Sequence, residues 1–370
     1  MAPISYIAEN KGIKKIYCDN FNICGIMKYQ IKTFTSSNFH LLKEEWLKLE
    51  KGKDMTYYQS YHWYESIMKF MPEKKGYYGS VFLCIYLGDQ LQLICPLWVI
   101  FKAIKFVNKR RVYILGRQGW SDYLNVIYDN CSTDAFQVLF NYIKNKWNIK
   151  SVCLEQLMDR SRFFKYISSN YSFCKDIVTT CVKLAIPESK DDYKKLLSKS
   201  SRQNIRTARN RLAKDGLSIT FSFDAHPNLE QCKSLRAKRV IKKNEPKSFR
   251  DRLRQIKNEV YQRFTIEFPK YLPFYADSNS RMMTACIDGE LAAFFNYSLD
   301  TNHRQVMLMA VGTNEKFRRY SPGVLLVFEY VTKQIESKEI QVLDFTRGNE
   351  SYKYQLGGTD HLIHSIVFEI

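Results

Sequence analysis

Runs of apolar and polar positions in the first half of the chain predict a mixed α/β domain. The apolar segment 81–101 has nearly the length of a membrane span, but Gly88-Asp89-Gln90 interrupts it where a hairpin turn would lie. We therefore interpret this segment as two core strands. Strands are predicted at residues 29–34, 80–87, 91–101, 111–115, 124–128 and 151–157, and helices at 40–49, 56–70 and 135–147.

The second half of the chain repeats this order of elements. A predicted hairpin around Asp288-Gly289 corresponds to the one around Gly88-Asp89, and each is followed by a strand, a helix and a strand. This internal repeat favours a duplicated fold. The predicted strands of the second half are 179–185, 217–223, 282–288, 290–299, 306–311 and 340–345, and its helices are 190–215 (broken near 198–201), 229–242, 249–267 and 324–335.

The repeat also predicts the domain organisation. We expect an N-terminal extension over residues 1–26, a first domain over 27–178 and a second domain over 179–370, with the boundary between the domains near 176–190. A chain of 370 residues is long enough for two domains of ordinary size.

Composition indicates a globular, soluble protein, since 45% of the residues are hydrophobic and 25% are charged. Residues 1–24 lack the continuous apolar run of a signal peptide. The ten cysteines are scattered, with no Cys-x-x-Cys pair and no Cys/His cluster at zinc spacing. These features favour a cytoplasmic protein with reduced thiols, no metal and no membrane span.

The formal net charge of +20 has two interpretations. A basic protein attracts nucleic acid, an anionic membrane surface or phosphorylated small molecules, whereas a lysine-rich composition can also carry no functional meaning. Arg202, Arg206 and Arg209 lie on one face of a predicted helix. This face fits a solvated surface, a contact with a phosphate-rich substrate or coenzyme, or nucleic-acid binding. Aromatic residues are not interleaved with it, which argues against the last of these.

One strand–loop–helix unit carries the clearest candidate chemistry. An apolar run ends at Val311, and Arg318-Arg319-Tyr320-Ser321-Pro322-Gly323 opens the next helix. Ser321 is suited to capping, Pro322 suits the first helical turn, and Gly323 lets a ligand approach the backbone. Because a helix N-terminus presents unpaired N–H groups and a positive dipole end, the unit predicts a phosphate-bearing ligand. The alternative is an ordinary capped helix start, since Ser-Pro-Gly is a common turn.

Two motifs in this region resemble the GNAT acyltransferase superfamily. Arg318-x-x-Ser321-x-Gly323 is similar to the family's Arg/Gln-x-x-Gly-x-Gly/Ala, with serine in place of the first glycine. Tyr-Ser-Pro-Gly followed by Asp-Phe-x-x-Gly-x-Glu-x-Tyr-Lys resembles the branch of CelD-like and FemAB-like proteins. That branch consists of tandem GNAT-fold proteins of bacterial cell-envelope and polysaccharide pathways. The close match covers roughly the last third of the chain.

The resemblance implies tandem GNAT-like α/β domains, each with a mixed, mostly antiparallel sheet flanked by helices. The first domain has no counterpart of residues 318–323, so we expect it to be degenerate and the second domain to bind acyl-CoA. In the family, N–H groups corresponding to residues 319–324 hold the pyrophosphate, and the preceding strand binds the pantetheine arm. The implied coenzyme-binding residues are Met309, Val311, Arg318, Arg319, Tyr320, Ser321, Gly323 and Val324.

Acyl transfer to an amine needs a base for the amine proton. Asp344 and Glu350 are the candidates, because burial raises the pKa of a carboxyl group; loop capping and plain solvation are the alternatives. Tyr352, or Tyr354, is a candidate acid for the departing thiolate, a role that some GNAT enzymes give to tyrosine. Lys353 and Arg347 either act on an anionic substrate or pair with those acids.

The residues that we expect to contact the acyl acceptor are predicted from the resemblance. Asp122-Tyr123 resembles a segment at the inter-domain cleft of FemAB-like proteins, and Arg202 and Arg206 belong to a run that recurs there. We expect transfer of an acyl group, acetyl first, from acyl-CoA to an amine of a small molecule or a sugar-nucleotide precursor of the envelope. The alternatives are a FemAB-type transferase that uses aminoacyl-tRNA, a non-catalytic nucleic-acid-binding protein and a degenerate structural GNAT protein.

Overall fold

The computed structural model describes residues 17–23, 27–71, 78–100, 111–116, 121–225, 230, 235 and 272–370. Two compact units divide the chain. The first comprises Met1–Thr179, Lys257–Ala276 and Leu362–Ile370, and the second comprises Thr180–Ile256 and Asp277–His361. The helices predicted at 229–242 and 249–267 lie outside the described residues except at positions 230 and 235.

The first unit is built on a sheet with the strand order β1-β2-β3-β4-β5-β7-β14, and β6 pairs with β4. Neighbouring strands are antiparallel except β5 and β7, which are parallel at Val112 and Val152. Its elements in chain order are β1 (Tyr17–Ile23), β2 (Met27–Thr35), α1 (Lys43–Leu49), α2 (Tyr61–Met68), β3 (Tyr78–Leu87), β4 (Gln90–Ile100), β5 (Arg111–Ile114), β6 (Ile127–Tyr128), α3 (Thr133–Trp147), β7 (Ser151–Met158), α4 (Arg162–Asn170), the beginning of β8 (Phe173–Ala185), α7 (Leu272–Ala276) and the end of β14 (Thr359–Glu369).

The second unit has the strand order β8-β13-β12-β11-β10-β9, and only the pair β12 and β13 is parallel. Helices α6 and α8 bury apolar residues in its core, among them Ile205, Leu212, Leu326 and Val331. Its elements are the end of β8, α5 (Lys190–Leu196), α6 (Lys199–Lys214), β9 (Ile219–Ala225), β10 (Ser280–Ile287), β11 (Glu290–Asp300), β12 (Gln305–Thr313), α8 (Pro322–Ser337), β13 (Val342–Arg347), α9 (Ser351–Gln355) and the beginning of β14.

The two predicted hairpins each have a two-residue turn, and they share one irregularity. In the first unit Ile85 pairs with Leu93, and the register shifts by one residue before the turn at Gly88. In the second unit Ala285 pairs with Ala293, with the same shift before the turn at Gly289. A β-bulge at the same distance from the turn in both hairpins is the structural counterpart of the repeat seen in the sequence.

Most predicted strands and helices are present, and the differences are local. The segment 81–101 forms the strands β3 and β4, as predicted, and the helix predicted over 190–215 breaks at Ser198, whose hydroxyl caps α6. The strand predicted at 124–128 shrinks to the two residues of β6. Helix α4 and the strands β1 and β14 were not predicted. Among the residues that the structure describes, no helix combines the length and apolar character that a membrane crossing needs.

Candidate functional site

The strands β12 and β13 of the second unit run together for only a short distance. Their parallel pairing extends from Gln305 opposite Val342 to Met307 opposite Asp344. Just beyond this point, β12 contains an extra residue relative to β11, because Tyr297 pairs with Leu308 while the preceding Asn296 pairs with Ala310. Such a bulge bends a strand and increases its twist, so β12 turns away from β13 at this point.

Strand β13 has its own irregularity at the same level of the sheet. Its pairing with β8 passes from Asp344–Lys183 to Arg347–Cys181, which leaves one extra residue in β13. Thr346 lies within this bulge with a φ of 57°. Both strands therefore change direction where their pairing ends, and their backbones separate beyond Met307 and Asp344; we call this separation the cleft.

The N-terminus of α8 lies beside this opening. A short 3₁₀ helix, Glu315–Tyr320, leads into Ser321, which adopts the left-handed conformation (φ 47°, ψ 49°), and Pro322 begins α8. Ser321 occupies the N-cap position of α8, as predicted, but the prediction of a side-chain cap is wrong, because its side chain makes no capping hydrogen bond. The left-handed backbone is the conformation that glycine adopts most easily, which gives a physical reason for glycine at this place in the related motif.

Gly323 has a different role from a turn glycine. A Cβ atom built on it would lie 3.4 Å from Thr313 Cγ2 and 3.9 Å from Phe295 Cε2, which are ordinary contact distances. Neither packing nor φ therefore requires glycine at this position, but a side chain would project over the cavity wall. In the described part of the chain its N–H has no backbone acceptor, whereas those of Ser321 and Val324 already donate, at 3.1 and 3.0 Å.

A cavity of about 620 Å³ lies between the end of β12, the loop that follows it and the start of α8. Its wall combines an apolar part from strands and helix with a polar part from the loop. The lining residues are Phe295, Val311, Thr313, Asn314, Glu315, Arg318, Ser321, Pro322, Gly323, Val324 and Tyr352.

The two consecutive arginines before α8 point to different partners. Arg318 lines the cavity, and its Nη1 lies 3.6 Å from a carboxylate oxygen of Glu315, with most of its side chain exposed. Arg319 instead pairs with Asp215, at the end of α6. The Tyr320 hydroxyl donates to the same carboxylate (2.6 Å). This hydrogen bond lowers the pKa of Asp215 and raises the pKa of Tyr320.

Asp344 lies outside the cavity wall and is completely buried. Its carboxylate accepts hydrogen bonds from the backbone N–H of Thr346 (2.7 Å) and from Gln305 Nε2 (3.2 Å). Lys183 Nζ lies 3.3 Å from the same group. A buried carboxylate with a cationic partner and two donors is satisfied where it is, so this geometry favours a structural role. Its function as a base stays a prediction.

Glu350 and Lys353 form an ion pair, with Nζ and Oε2 3.1 Å apart. The Lys353 ammonium is nearly inaccessible and also donates to the carbonyl oxygens of Thr346, Arg347 and Gly348, at 3.2, 2.8 and 2.9 Å. It therefore fastens the loop after β13. Glu350 keeps 40% of its side chain exposed, although its Oε2, which faces the ammonium, is buried.

The remaining predicted residues are dispersed. Arg202 donates to the carbonyl oxygens of Lys194 and Leu197 (2.7 and 2.6 Å) and so closes the C-terminus of α5. Arg206 is exposed on α6, and Arg347 is exposed at the end of β13. Met309 lies in the β12 bulge, outside the cavity lining.

Two predicted residues belong to the first unit. Asp122 is half-buried, and Tyr123 is fully buried with a φ of 50°. The backbone carbonyl of Tyr123 accepts a hydrogen bond from the buried Gln59 side chain. These contacts fit a place in the core of that unit, and an acceptor contact stays a prediction.

Four cavity residues have no counterpart among the sequence predictions: Phe295, Thr313, Asn314 and Glu315. Phe295 reaches the cavity because β11 pairs it with Val311. Only Asn314 had a usable signal, since asparagine before a charged segment is a typical cap, and its side chain accepts from Lys316 N (3.1 Å).

A parallel strand pair that opens beside a helix N-terminus is the arrangement that the resemblance to GNAT acyltransferases implied. Residues 199–354 match the family model described as acetyltransferase (GNAT) domain. This segment, which is less than half of the chain, is similar to that family, as the motifs implied, and the chain as a whole is similar in fold to FemX. Among curated proteins, no sequence is significantly similar to this chain.

Two solved structures are similar to this chain in fold over nearly its whole length. FemX matches with a TM-score of 0.58 and 8% identity, over 87% of this chain and 95% of that one. A conserved protein of unknown function from Bacteroides thetaiotaomicron VPI-5482 matches with a TM-score of 0.51 and 10% identity, over 91% and 98%. A tandem GNAT protein from the clavulanic acid biosynthesis pathway has a TM-score of 0.47 and 12% identity, over 92% and 98%.

Proposed function

We propose that the protein is an N-acyltransferase that moves an acyl group, acetyl in the first instance, from acyl-CoA to an amine. The observation that carries this proposal is the cavity between β12 and the N-terminus of α8, with Gly323 in its wall. A Cβ at Gly323 would meet only ordinary contacts, so a ligand explains the glycine better than packing does. The match of residues 199–354 to the GNAT domain family supports the same donor.

The coenzyme would bind through its pyrophosphate at the helix N-terminus. The N–H of Gly323 and the positive end of the α8 dipole favour an anion there. Arg318 adds a positive charge at the cavity wall, next to Glu315. The pantetheine arm would then lie along β12, past Val311, in the cleft that opens after Met307.

Acyl transfer forms a C–N bond and breaks the C–S bond of the thioester, and the amine loses a proton while the thiolate gains one. Tyr352 lines the cavity, so we assign its hydroxyl to the thiolate. Of the two predicted bases, Glu350 is the better candidate because 40% of its side chain is exposed, whereas Asp344 is completely buried. We assign Asp344 and Lys353, which are both buried, to holding the site in shape.

The acceptor that we propose is a small amine or a sugar-nucleotide precursor of the bacterial envelope. The net charge of +20 and the exposed Arg206 on α6 fit a phosphorylated acceptor. None of the cysteines whose side chains are described forms a disulfide, and we place the reaction in the reducing cytoplasm.

Calorimetric titration with acetyl-CoA tests the donor. Wild type should bind it, and Gly323→Glu should lose binding, because the new carboxylate occupies the cavity wall and repels the pyrophosphate. Gln341→Glu is the matched control, since it makes the same change of charge at an exposed position away from the cavity. Failure of the folded wild type to bind acetyl-CoA, or equal binding by Gly323→Glu, would contradict the proposal.

A second candidate is transfer from aminoacyl-tRNA, as in FemAB-type enzymes. Helix α6 supports it, because the helix contains six lysines and arginines and no acidic residue over Lys199–Lys214. This candidate predicts RNA binding that weakens steeply with salt, together with aminoacyl transfer and indifference to acetyl-CoA. RNA or DNA binding without any transfer would instead indicate a non-catalytic nucleic-acid-binding protein.

A further inference from the structure

Thr346 has a backbone conformation that its side chain disfavours. Its φ of 57° lies in the left-handed region, where a β-branched residue is a true outlier. Residues held in such conformations persist only where their surroundings fix them, and they cluster at functional sites. Thr346 lies two residues after Asp344, the last residue of β13 that pairs with β12.

Three hydrogen bonds fix this residue, one for each of its polar groups. Its N–H donates to Asp344 Oδ1 (2.7 Å), its hydroxyl donates to the carbonyl oxygen of Leu308 (2.9 Å), and its carbonyl accepts from Lys353 Nζ (3.2 Å). All three bonds are buried. The partners lie on β13 itself, on β12 and on α9.

The bond to Leu308 explains why the two strands part. If the parallel ladder continued past Met307, the carbonyl oxygen of Leu308 would accept a hydrogen bond from a backbone N–H of β13. Here the Thr346 hydroxyl takes that acceptor, and the N–H of Thr346 turns back to Asp344. A side chain therefore stands between the strands where a backbone bond would otherwise bring them together.

Asp344, which accepts the N–H of Thr346, is itself fixed by neighbouring strands. Asp344 is bonded to Gln305 on β12 (3.2 Å) and paired with Lys183 on β8 (3.3 Å). One neutral donor and one cation, each from a neighbouring strand, thus fix the carboxylate, and the carboxylate fixes the N–H of Thr346.

We propose that Thr346 is a positioning residue whose hydroxyl, seated on the Leu308 carbonyl, sets the width of the cleft between β12 and β13 that receives the acyl–pantetheine portion of the donor. This inference rests on the proposed function for its ligand, but its structural part stands on the hydrogen bonds alone. Thr346 does not line the cavity, so it acts through the strands.

Three substitutions test the proposal, with acetyl-CoA affinity and hydrogen exchange in residues 305–313 as readouts. Thr346→Val keeps the branched shape and removes the hydroxyl, and Thr346→Ser keeps the hydroxyl. Thr346→Gly removes the hydroxyl and also relieves the left-handed strain. We expect acetyl-CoA binding at least tenfold weaker, with faster exchange in β12, for the valine and glycine variants, and binding within twofold of wild type for the serine variant.

The glycine variant separates positioning from a merely structural role. If Thr346 only contributed to stability, relief of strain would leave binding unchanged, and acetyl-CoA affinity equal to wild type in Thr346→Gly overturns the proposal. The glycine variant also keeps the test decisive if Thr346→Val fails to fold, because it lacks the hydroxyl without the left-handed strain. If wild type binds no acetyl-CoA, the proposed function fails, and exchange in β12 then decides alone: equal exchange in wild type and Thr346→Gly refutes the role of the hydroxyl.

Discussion

The most informative single change for the site is the removal of the Lys353 ammonium. Its side chain is only 2% exposed, and Nζ donates to three carbonyl oxygens, those of Thr346, Arg347 and Gly348. Glu350 supplies the opposite charge at 3.1 Å. Lys353→Met keeps the volume and the apolar stem of the side chain and removes every one of these bonds.

The expected loss of stability depends on whether water can replace the ammonium at each group that it now contacts. The Thr346 carbonyl belongs to a buried residue and would be left without a donor, which costs about 1–3 kcal/mol. Arg347 is exposed and Gly348 is half-buried, so water can replace the ammonium at their carbonyls. Glu350 Oε2, which faces the ammonium, is buried, but 40% of the Glu350 side chain is exposed, so only a part of the penalty for stranding a buried charge applies. We expect the loop to lose about 2 kcal/mol.

Native-state hydrogen exchange measures this loss locally, which suits a two-unit chain better than global unfolding. The N–H of Gly348 donates to the carbonyl of Thr180 (3.0 Å) and reports opening of the loop. A loss of 2 kcal/mol corresponds to exchange roughly 30-fold faster in Lys353→Met. Lys199→Met, at an exposed position of α6, is the matched control and should leave this amide unchanged. Equal exchange in wild type and Lys353→Met would refute the role assigned to the ammonium.

Two further predictions concern stability. Gly312→Ala should lower the free energy of unfolding by about 1–3 kcal/mol, because its Cβ would overlap the ring of Phe294, whereas Gly323→Ala should be tolerated; urea unfolding compares the two, and equal stabilities would contradict the packing argument. The hydrogen bond from Tyr320 lowers the pKa of Asp215 below its ordinary value of 3.8, so this contact stabilises the fold above that pH and is lost as the pH falls through the lowered pKa. The difference in urea midpoint between wild type and Asp215→Asn should therefore be constant above about pH 5 and vanish in stronger acid, and a difference independent of pH would refute this linkage.

The sequence pattern predicted the elements whose apolar periodicity is strong and local. The hairpin around Gly289 and the break before Ser198 are of this kind, because turns and helix caps depend on residues that are adjacent in the sequence. Strand β14 escaped prediction because polar residues fill half of it and its partner is β7, about 200 residues earlier in the chain. The register of such long-range pairs depends on tertiary packing.

The same distinction holds for the site. The wall formed by Ser321 and Gly323 was predictable because one short motif contains it. Phe295 reaches the wall only through the pairing of β11 with β12, which no local pattern specifies. Residue type and position in the chain make Asp344 and Lys353 catalytic candidates, but their hydrogen bonds depend on two bulges that no local pattern indicates.

Serine at position 321 bears on the proposed anion site, because the related motif has glycine there. Glycine is favoured in the left-handed conformation because a side chain there costs about 1–2 kcal/mol. The preceding loop can hold Ser321 in that conformation, since Tyr320 is hydrogen-bonded to Asp215 and Arg211 donates to the carbonyl of Arg319 (2.9 Å). These contacts fasten the loop to α6 and offset the cost. The serine therefore changes how the turn is stabilised, while Gly323, which faces the cavity, keeps the wall open.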